Sequence, residues 1–306
     1  MSTSPTPAAR RSCLSVPGSS ASMLAKAPTR GADEVVIDLE DAVAPSAKDE
    51  ARDTVVAALQ EPHWQGVRTS VRVNAPRTPW CHADVIAIAS LAAGPDSIIV
   101  PKVESAGDLA FVDRLLDGVE AAAQTGHAPM RIQALIETAA GVAHLDEIAG
   151  ASARLDALIL GYADLSASLG RAAGARAELD SWRAIQDAIL VAARTHDIAA
   201  IDGPYLGIAV DEGFDAAAGR ARDMGFDGKW AIHPAQVGAL NALFTPSAEE
   251  VEHARGVVKA FQQALAAGLG CVMMGGQVVE QPILERAERV VRFHEAVAAH
   301  TRSASH

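Results

Sequence analysis

Eight short apolar runs punctuate the chain: Ser12–Val16, Glu34–Asp38, Ser70–Val73, Ser97–Val100, Ile132–Ile136, Ala157–Leu160, Ile198–Ile201 and Trp230–Ile232. Each holds three to five residues rich in Val, Ile and Leu, the length and composition of a strand buried on both faces. Ala- and Leu-rich stretches with helical spacing separate them, so strand and helix signals alternate along the chain. That alternation marks parallel βα units. Eight units within about 230 residues fit a closed (β/α)8 barrel better than an open sheet.

A second pattern lies at the end of each run. In order come Pro17-Gly18, Asp38 with Glu40 and Asp41, Arg72-Val73-Asn74, Pro101-Lys102, Glu137, Asp164, Asp202 and His233-Pro234. In a barrel these positions share the C-terminal rim, where such folds place their chemistry. A polar residue at one strand end is ordinarily a helix cap or a solvated loop. Polar residues at nearly all eight ends imply a lined pocket.

Past the eighth run, Ser247-Ala-Glu-Glu250 has the spacing of a capping box and predicts a helix to about Ala267. The stretch "CVMMGGQVVE" reads as a hairpin turning at Gly275-Gly276, and Pro282 suits the first turn of a last helix over 282–299. The expected organisation is a disordered tail over 1–10, the barrel over 11–244, a C-terminal helix, hairpin and lid helix over 245–300, and a tail over 301–306. This C-terminal part looks too small to own a core, so it is expected to pack on the barrel or on a neighbouring subunit.

Of the 306 residues 49% are hydrophobic, enough for one large core. The net charge of −12 opposes binding to nucleic acid or an anionic membrane, while leaving room for a local basic pocket. No window reaches the roughly 18 apolar residues of a membrane span, and the first ten residues lack the apolar core of a signal peptide. Cys13, Cys81 and Cys271 are odd in number and far apart, which suits neither a disulfide framework nor a thiolate metal site. A soluble, cytoplasmic protein is expected.

On the predicted rim, Glu137 and Asp164 end adjacent runs, and neighbouring strands lie about 4.8 Å apart. Two carboxylates without His or Cys select Mg²⁺, or Mn²⁺, over Zn²⁺. Equally, Asp164 could cap the helix that begins near Leu165 while Glu137 pairs with a base. Arg72 is the main rim cation, with Lys102 beside it. Its guanidinium suits a two-point grip on a substrate carboxylate, neutralisation of Asp38, Glu40 and Asp41, or both.

The motifs "CLSVPG", "VVIDLEDAV", "VRVN", "VPKVES", "ALIETAAGV", "GYADL", "AID" and "GFDGKWAIHPAQV" occur in the order seen in the citrate lyase β-subunit-like family, within the HpcH/HpaI aldolase group. The chain resembles that family from about Arg11 to Val291. The resemblance implies a TIM barrel, a homotrimer or dimer of trimers, and Mg²⁺-dependent cleavage or formation of C–C bonds in hydroxyacyl-CoA thioesters. By motif it implies Glu137 and Asp164 as metal ligands. It implies Arg72 as the group that holds the α-keto acid, helped by amides around Gly161, Tyr162, Ala163 and Asp164. Lys26 falls where relatives place a cation for the CoA phosphates, and Glu280 where many carry an acid/base Asp. Without the resemblance, Glu280 reads as a carboxylate stabilised at a helix start. The chain departs from the relatives that cleave citramalyl-CoA at Ser15 and Ser22, where they tend to have a Tyr and a second basic residue. A hydroxyacyl-CoA thioesterase, or a subunit acting only on a carrier-bound thioester, are the alternative readings.

Overall fold

The computed structural model describes residues 9–124, 128–171 and 179–303. These fall into two compact units, one over 10–242 and one that joins Ala9 to the residues from Leu243 onward.

In the first unit, eight parallel strands close a barrel in chain order. They are β1 (Ser12–Pro17), β2 (Glu34–Asp38), β3 (Thr69–Arg72), β4 (Ser97–Val100), β5 (Arg131–Ile136), β6 (Leu155–Leu160), β7 (Ala199–Asp202) and β8 (Gly228–Ala231). The closing pair joins β1 to β8, with Cys13 opposite Trp230. The helices between and after them are α1 (Ala21–Leu24), α2 (Lys48–Leu59), α3 (Cys81–Ala89), α4 (Ala106–Ala123), α5 (Ala139–Ala143), α6 (Leu145–Ala149), α7 (Tyr162–Ser168), α8 (Arg183–Thr195), α9 (Glu212–Met224) and α10 (Pro234–Phe244). The expected (β/α)8 barrel is therefore the fold.

Side chains alternate between the two faces of each strand, and that alternation stacks the barrel interior in layers. Cys13, Val36, Ile99, Leu135, Ala157, Ile159, Ile201 and Trp230 form its apolar middle. Two residues before this layer, Glu34, Ser97 and Gln133 close the N-terminal end with polar contacts: Gln133 Nε2 donates to Glu34 Oε1 at 2.6 Å and to Ser97 Oγ at 2.8 Å. Two residues after it, Ser15, Asp38, Glu137 and Gly161 reach the C-terminal rim. The rim chemistry thus stands on a packed floor, not over a channel.

Of the expected 1–10 tail, residues 1–8 lie outside the described residues. Its last residue, Arg10, departs from the expectation: it is buried, with Nε 2.9 Å from Glu34 Oε2 and Nη2 2.7 Å from Asp156 Oδ2. A cation under the barrel compensates two carboxylates there, and so cannot be left loose.

The second unit contains α11 (Ala248–Ala266), a hairpin of β9 (Val272–Met274) and β10 (Gln277–Val279), and α12 (Gln281–Ser303). Ser247 caps α11 as its spacing predicts: Ser247 Oγ accepts from Glu250 N–H at 3.1 Å, and Glu250 Oε2 accepts from Ser247 N–H at 2.7 Å. Gly275 and Gly276 turn the hairpin with φ of 57° and 81°, the left-handed pair of a two-residue turn. The expectation that this part owns no core is wrong. Ala254, Val257 and Phe261 of α11 pack with Val279, Leu284 and Ala287. Two long amphipathic helices facing one another bury their own apolar stripes. Helix α12 also runs to Ser303, into the expected 301–306 tail, of which 304–306 lie outside the described residues.

Candidate functional site

The rim is organised by pairs across neighbouring strands. Asp38 and Arg72 are register partners on β2 and β3. Arg72 Nε donates to Asp38 Oδ1 at 2.8 Å and Nη2 to Asp38 Oδ2 at 2.6 Å. Its Nη1 lies 2.9 Å from Glu40 Oε2, and its guanidinium carbon lies 5.6 Å from the centre of the Trp230 ring. Asp38 also accepts the Glu40 and Ala42 amides at 2.8 and 3.1 Å. Burial alone would lower the Arg72 pKa, but bonding to Asp38 and the charges of Asp38, Glu40 and Glu137 hold it above its ordinary value. Its two-point edge is therefore spent on Asp38, and the remaining N–H groups are what it can offer a ligand.

Lys102 follows β4 and is the junction of the site. Its amide donates to Glu137 Oε1 at 3.0 Å. Its ammonium donates to Glu40 Oε1 and lies 3.3 Å from Asp41 Oδ2 and 3.5 Å from Asp164 Oδ2. Asp41 is exposed and Glu40 buried. Lys48, from α2, adds a buried ammonium that donates to the Leu39 and Glu40 carbonyls at 2.8 and 2.6 Å. Sequence reading missed Lys48, because nothing in the helical pattern of α2 distinguishes a lysine turned inward.

Glu137, at the end of β5, is only 3% exposed. Burial first, and then the neighbouring Glu40, push its carboxyl up to about 8. Gly161 makes room for it: a Cβ there would meet Glu137 Cβ and Oε2, each at 2.6 Å. Asp164 is not at the end of β6 but in the first turn of α7, half-buried and beside Lys102.

The remaining candidates divide. The Gly161 amide is bonded to the Ile136 carbonyl at 3.0 Å, so it is not available to a ligand as the motif implied. The Tyr162, Ala163 and Asp164 amides belong to the first turn of α7, where N–H groups have no partner within the helix. The Tyr162 hydroxyl turns away from the rim and donates to Asp202 Oδ1 at 2.5 Å. Asp202, expected on the rim, faces outward from the barrel, bonded to the buried Lys229 ammonium and to Gln186 Nε2 at 3.3 Å. Lys26 and Ser22 are exposed on the β1–β2 connection and Ser15 is half-buried. Glu280 is exposed, immediately before α12, and its carbonyl accepts the Ile283 and Leu284 amides at 3.0 and 3.1 Å.

The donor set fits a hard divalent cation. Among the described residues, Asp38, Glu40, Asp41, Glu137 and Asp164 are met by Arg72, Lys102 and Lys48, so the carboxylates outnumber the cations. Burial first, and then Glu40, make ionised Glu137 costly, and a cation would relieve that cost. Among the described residues no group of three or more His, Cys, Asp or Glu side chains is placed to hold a metal. A cation here would rest on Glu137 and Asp164 and draw its other ligands from water and substrate, as Mg²⁺ does.

A barrel with carboxylates, an Arg and two Lys converging on its C-terminal rim defines an enzyme-like acidic site able to hold a cation and an anionic ligand. Residues 11–234 match the HpcH/HpaI aldolase/citrate lyase model, and the chain belongs to that family. It is 38% identical over 312 residues to the L-malyl-CoA/beta-methylmalyl-CoA lyase of Cereibacter sphaeroides, covering 96% of this chain and 98% of that one. It is 37% identical over 289 residues to a (3S)-malyl-CoA thioesterase of the same species, covering 94% and 96%. Among solved structures it resembles CitE from Mycobacterium tuberculosis in complex with magnesium, acetoacetate and coenzyme A. That likeness has a TM-score of 0.75 and 31% identity, over 95% of this chain and 99% of that one. No helix among the described residues is long and apolar enough to cross a membrane.

Proposed function

We propose that this chain is a Mg²⁺-dependent carbon–carbon lyase that cleaves or forms a 3-hydroxyacyl-CoA thioester of the malyl-CoA, citramalyl-CoA or citryl-CoA class. The products of cleavage are an α-keto acid and an acyl-CoA. The observation that carries this is the buried, charge-frustrated Glu137 on one rim with Asp164 and Arg72. Likeness to the malyl-CoA lyases supports the substrate class.

Glu137 and Asp164 would hold the cation, with Mn²⁺ as the natural substitute. Bound there, it would act as a Lewis acid on the substrate's hydroxyl and carboxylate oxygens. Arg72, kept charged by Asp38, holds negative charge on the keto-acid half with the N–H groups that Asp38 leaves. The Tyr162, Ala163 and Asp164 amides add donors beside it. In cleavage the C–C bond breaks as the hydroxyl gives its proton to water and becomes the keto group, and Glu280 gives a proton to the enolate carbon; in condensation Glu280 takes one from the methyl group and water returns one to the new alkoxide. Lys26 meets the CoA phosphates.

Glu280 is assigned to the site of a neighbouring subunit, in a homotrimer or dimer of trimers. The support is its exposure, a connection that passes through left-handed Gly268, and the exposed Met273 and Val278 on the hairpin. A cytoplasmic location is consistent with free Cys13, Cys81 and Cys271. Purified protein should turn over free malyl-CoA or citramalyl-CoA with Mg²⁺ and stop on chelation. Absence of turnover on every free thioester would favour a carrier-dependent subunit. The thioesterase relative motivates one second reading, in which the same site delivers water to the thioester.

A further inference from the structure

Lys102 adopts φ 52°, the left-handed region, in which non-glycine residues are uncommon. The other non-glycine residues there among the described ones, Gln124 and Asp197, lie at or just past the C-terminal ends of α4 and α8, where that conformation is ordinary. Lys102 has no such excuse. It follows Pro101 just past β4, outside any helix, and a left-handed lysine there needs compensation from its surroundings. Backbone and side chain both supply it. The main chain aims its N–H at Glu137 Oε1, and the ammonium reaches Glu40, Asp41 and Asp164. One residue thereby touches both carboxylates of the proposed cation site, one through its backbone and one through its side chain.

We propose that Lys102 is a positioning residue with two separable effects on that site: its backbone fixes Glu137, while its ammonium stands in for the divalent cation at Asp164. The inference rests on the reading of Glu137 and Asp164 as cation ligands. The amide holds one Glu137 oxygen, Oε1, and leaves Oε2 toward Gly161 for a ligand. The ammonium contact to Asp164, at 3.5 Å, is the longest of its three. When a divalent cation arrives, the side chain can release Asp164 and keep Glu40 and Asp41. Binding then costs the loss of one contact and works against the charge of a retained ammonium nearby. The lysine therefore weakens cation affinity and, in exchange, keeps the acidic rim compact without the cation.

The two effects separate by substitution. Lys102→Gly keeps the N–H and adopts φ 52° freely, but has no ammonium. Lys102→Val has no ammonium either, and its β-branched side chain resists that φ, which turns the N–H off Glu137. Mg²⁺ and Mn²⁺ affinities would be measured by calorimetry at fixed ionic strength, with folding of each variant checked by circular dichroism. Lys102→Gly should bind Mg²⁺ at least about fivefold tighter than the parent, since a competing positive charge is gone. Lys102→Val should bind at least about fivefold weaker than Lys102→Gly. Lys102→Arg should return affinity toward the parent. Equal affinities for Gly and parent would overturn the stand-in role, and equal affinities for Gly and Val the backbone role. If Lys102→Val does not fold, Lys102→Thr serves as the β-branched arm. Glu137→Gln and Asp164→Asn are the controls. If both still bind Mg²⁺ as the parent does, the reading of the ligands fails, independently of Lys102.

Discussion

Arg72 and Asp38 form a two-bond pair across β2 and β3, Nε to Oδ1 at 2.8 Å and Nη2 to Oδ2 at 2.6 Å. The residue proposed to hold the substrate is thus first held by the protein. A lysine cannot reproduce both bonds, so Arg72→Lys should be nearly as damaging as Arg72→Ala. Each should lose about 2–4 kcal/mol of apparent transition-state stabilisation, read from kcat/KM. Near-parental rates in the Lys variant would mean that Arg72 only balances the acidic rim.

Gly161→Ala tests the space around Glu137. Gly161 has ordinary backbone angles, φ −103°, so the substitution brings no backbone strain. It does place a methyl group 2.6 Å from Glu137 Cβ and Oε2. Mg²⁺ affinity should fall by about 10–100-fold while the fold survives, at an overpacking cost of about 1–3 kcal/mol. Unchanged calorimetric affinity would remove Glu137 from the cation site.

The raised Glu137 carboxyl predicts a pH dependence with a definite sign. Its folded value of about 8 lies above its ordinary 4.5. The stability it contributes is complete below 4.5 and is lost as pH rises through about 8, because the buried group must then ionise. In chelator, the unfolding midpoint should fall across that window. Saturating Mg²⁺ should flatten the fall, since a cation stabilises the ionised form. Glu137→Gln should remove this component in both conditions, and a profile identical in parent and variant would contradict it.

Outside the barrel wall, the buried Lys229 ammonium bonds Asp202 and the Gly203 carbonyl, and Asp202 in turn accepts from Tyr162, the first residue of α7. Lys229→Met leaves a buried carboxylate without its cation, and should cost about 3–5 kcal/mol in denaturant unfolding. Adding Asp202→Leu to it should recover part of that loss. If the double variant loses the sum of both single losses, the pair is not coupled.

The subunit assignment of Glu280 has its own test. Glu280→Ala protein keeps an intact rim and Arg72→Ala protein an intact hairpin. Mixing them under conditions of demonstrated subunit exchange should restore part of the activity. Mixtures that stay inactive would place Glu280 in its own subunit's site or outside the chemistry.

The strands were legible because burial on both faces leaves a contiguous apolar run, as in Ser97–Val100, where all four residues are buried. The Ser247 cap and the Gly275-Gly276 turn were legible because their residue types encode the geometry locally. The Arg10 pairing with Asp156 was not, since partners 146 residues apart leave no local pattern. Nor was the outward turn of Asp202: a strand end tells which rim a residue is on, but one residue of register decides which face. The Lys102 backbone was hidden too, because a left-handed φ at a lysine is imposed by its surroundings. The rim chemistry could be read as a set of residue types, whereas the pairing of Arg72 with Asp38 needed coordinates.

The most direct test of the account is product stoichiometry with a malyl-CoA-class thioester and Mg²⁺, following α-keto acid, acyl-CoA and free CoA thiol together. α-Keto acid and acyl-CoA should appear in equal amounts with no free thiol, and both products should be lost in Glu137→Gln. Release of free CoA thiol matched by the intact hydroxy acid, with no α-keto acid, would contradict it and make the protein a thioesterase.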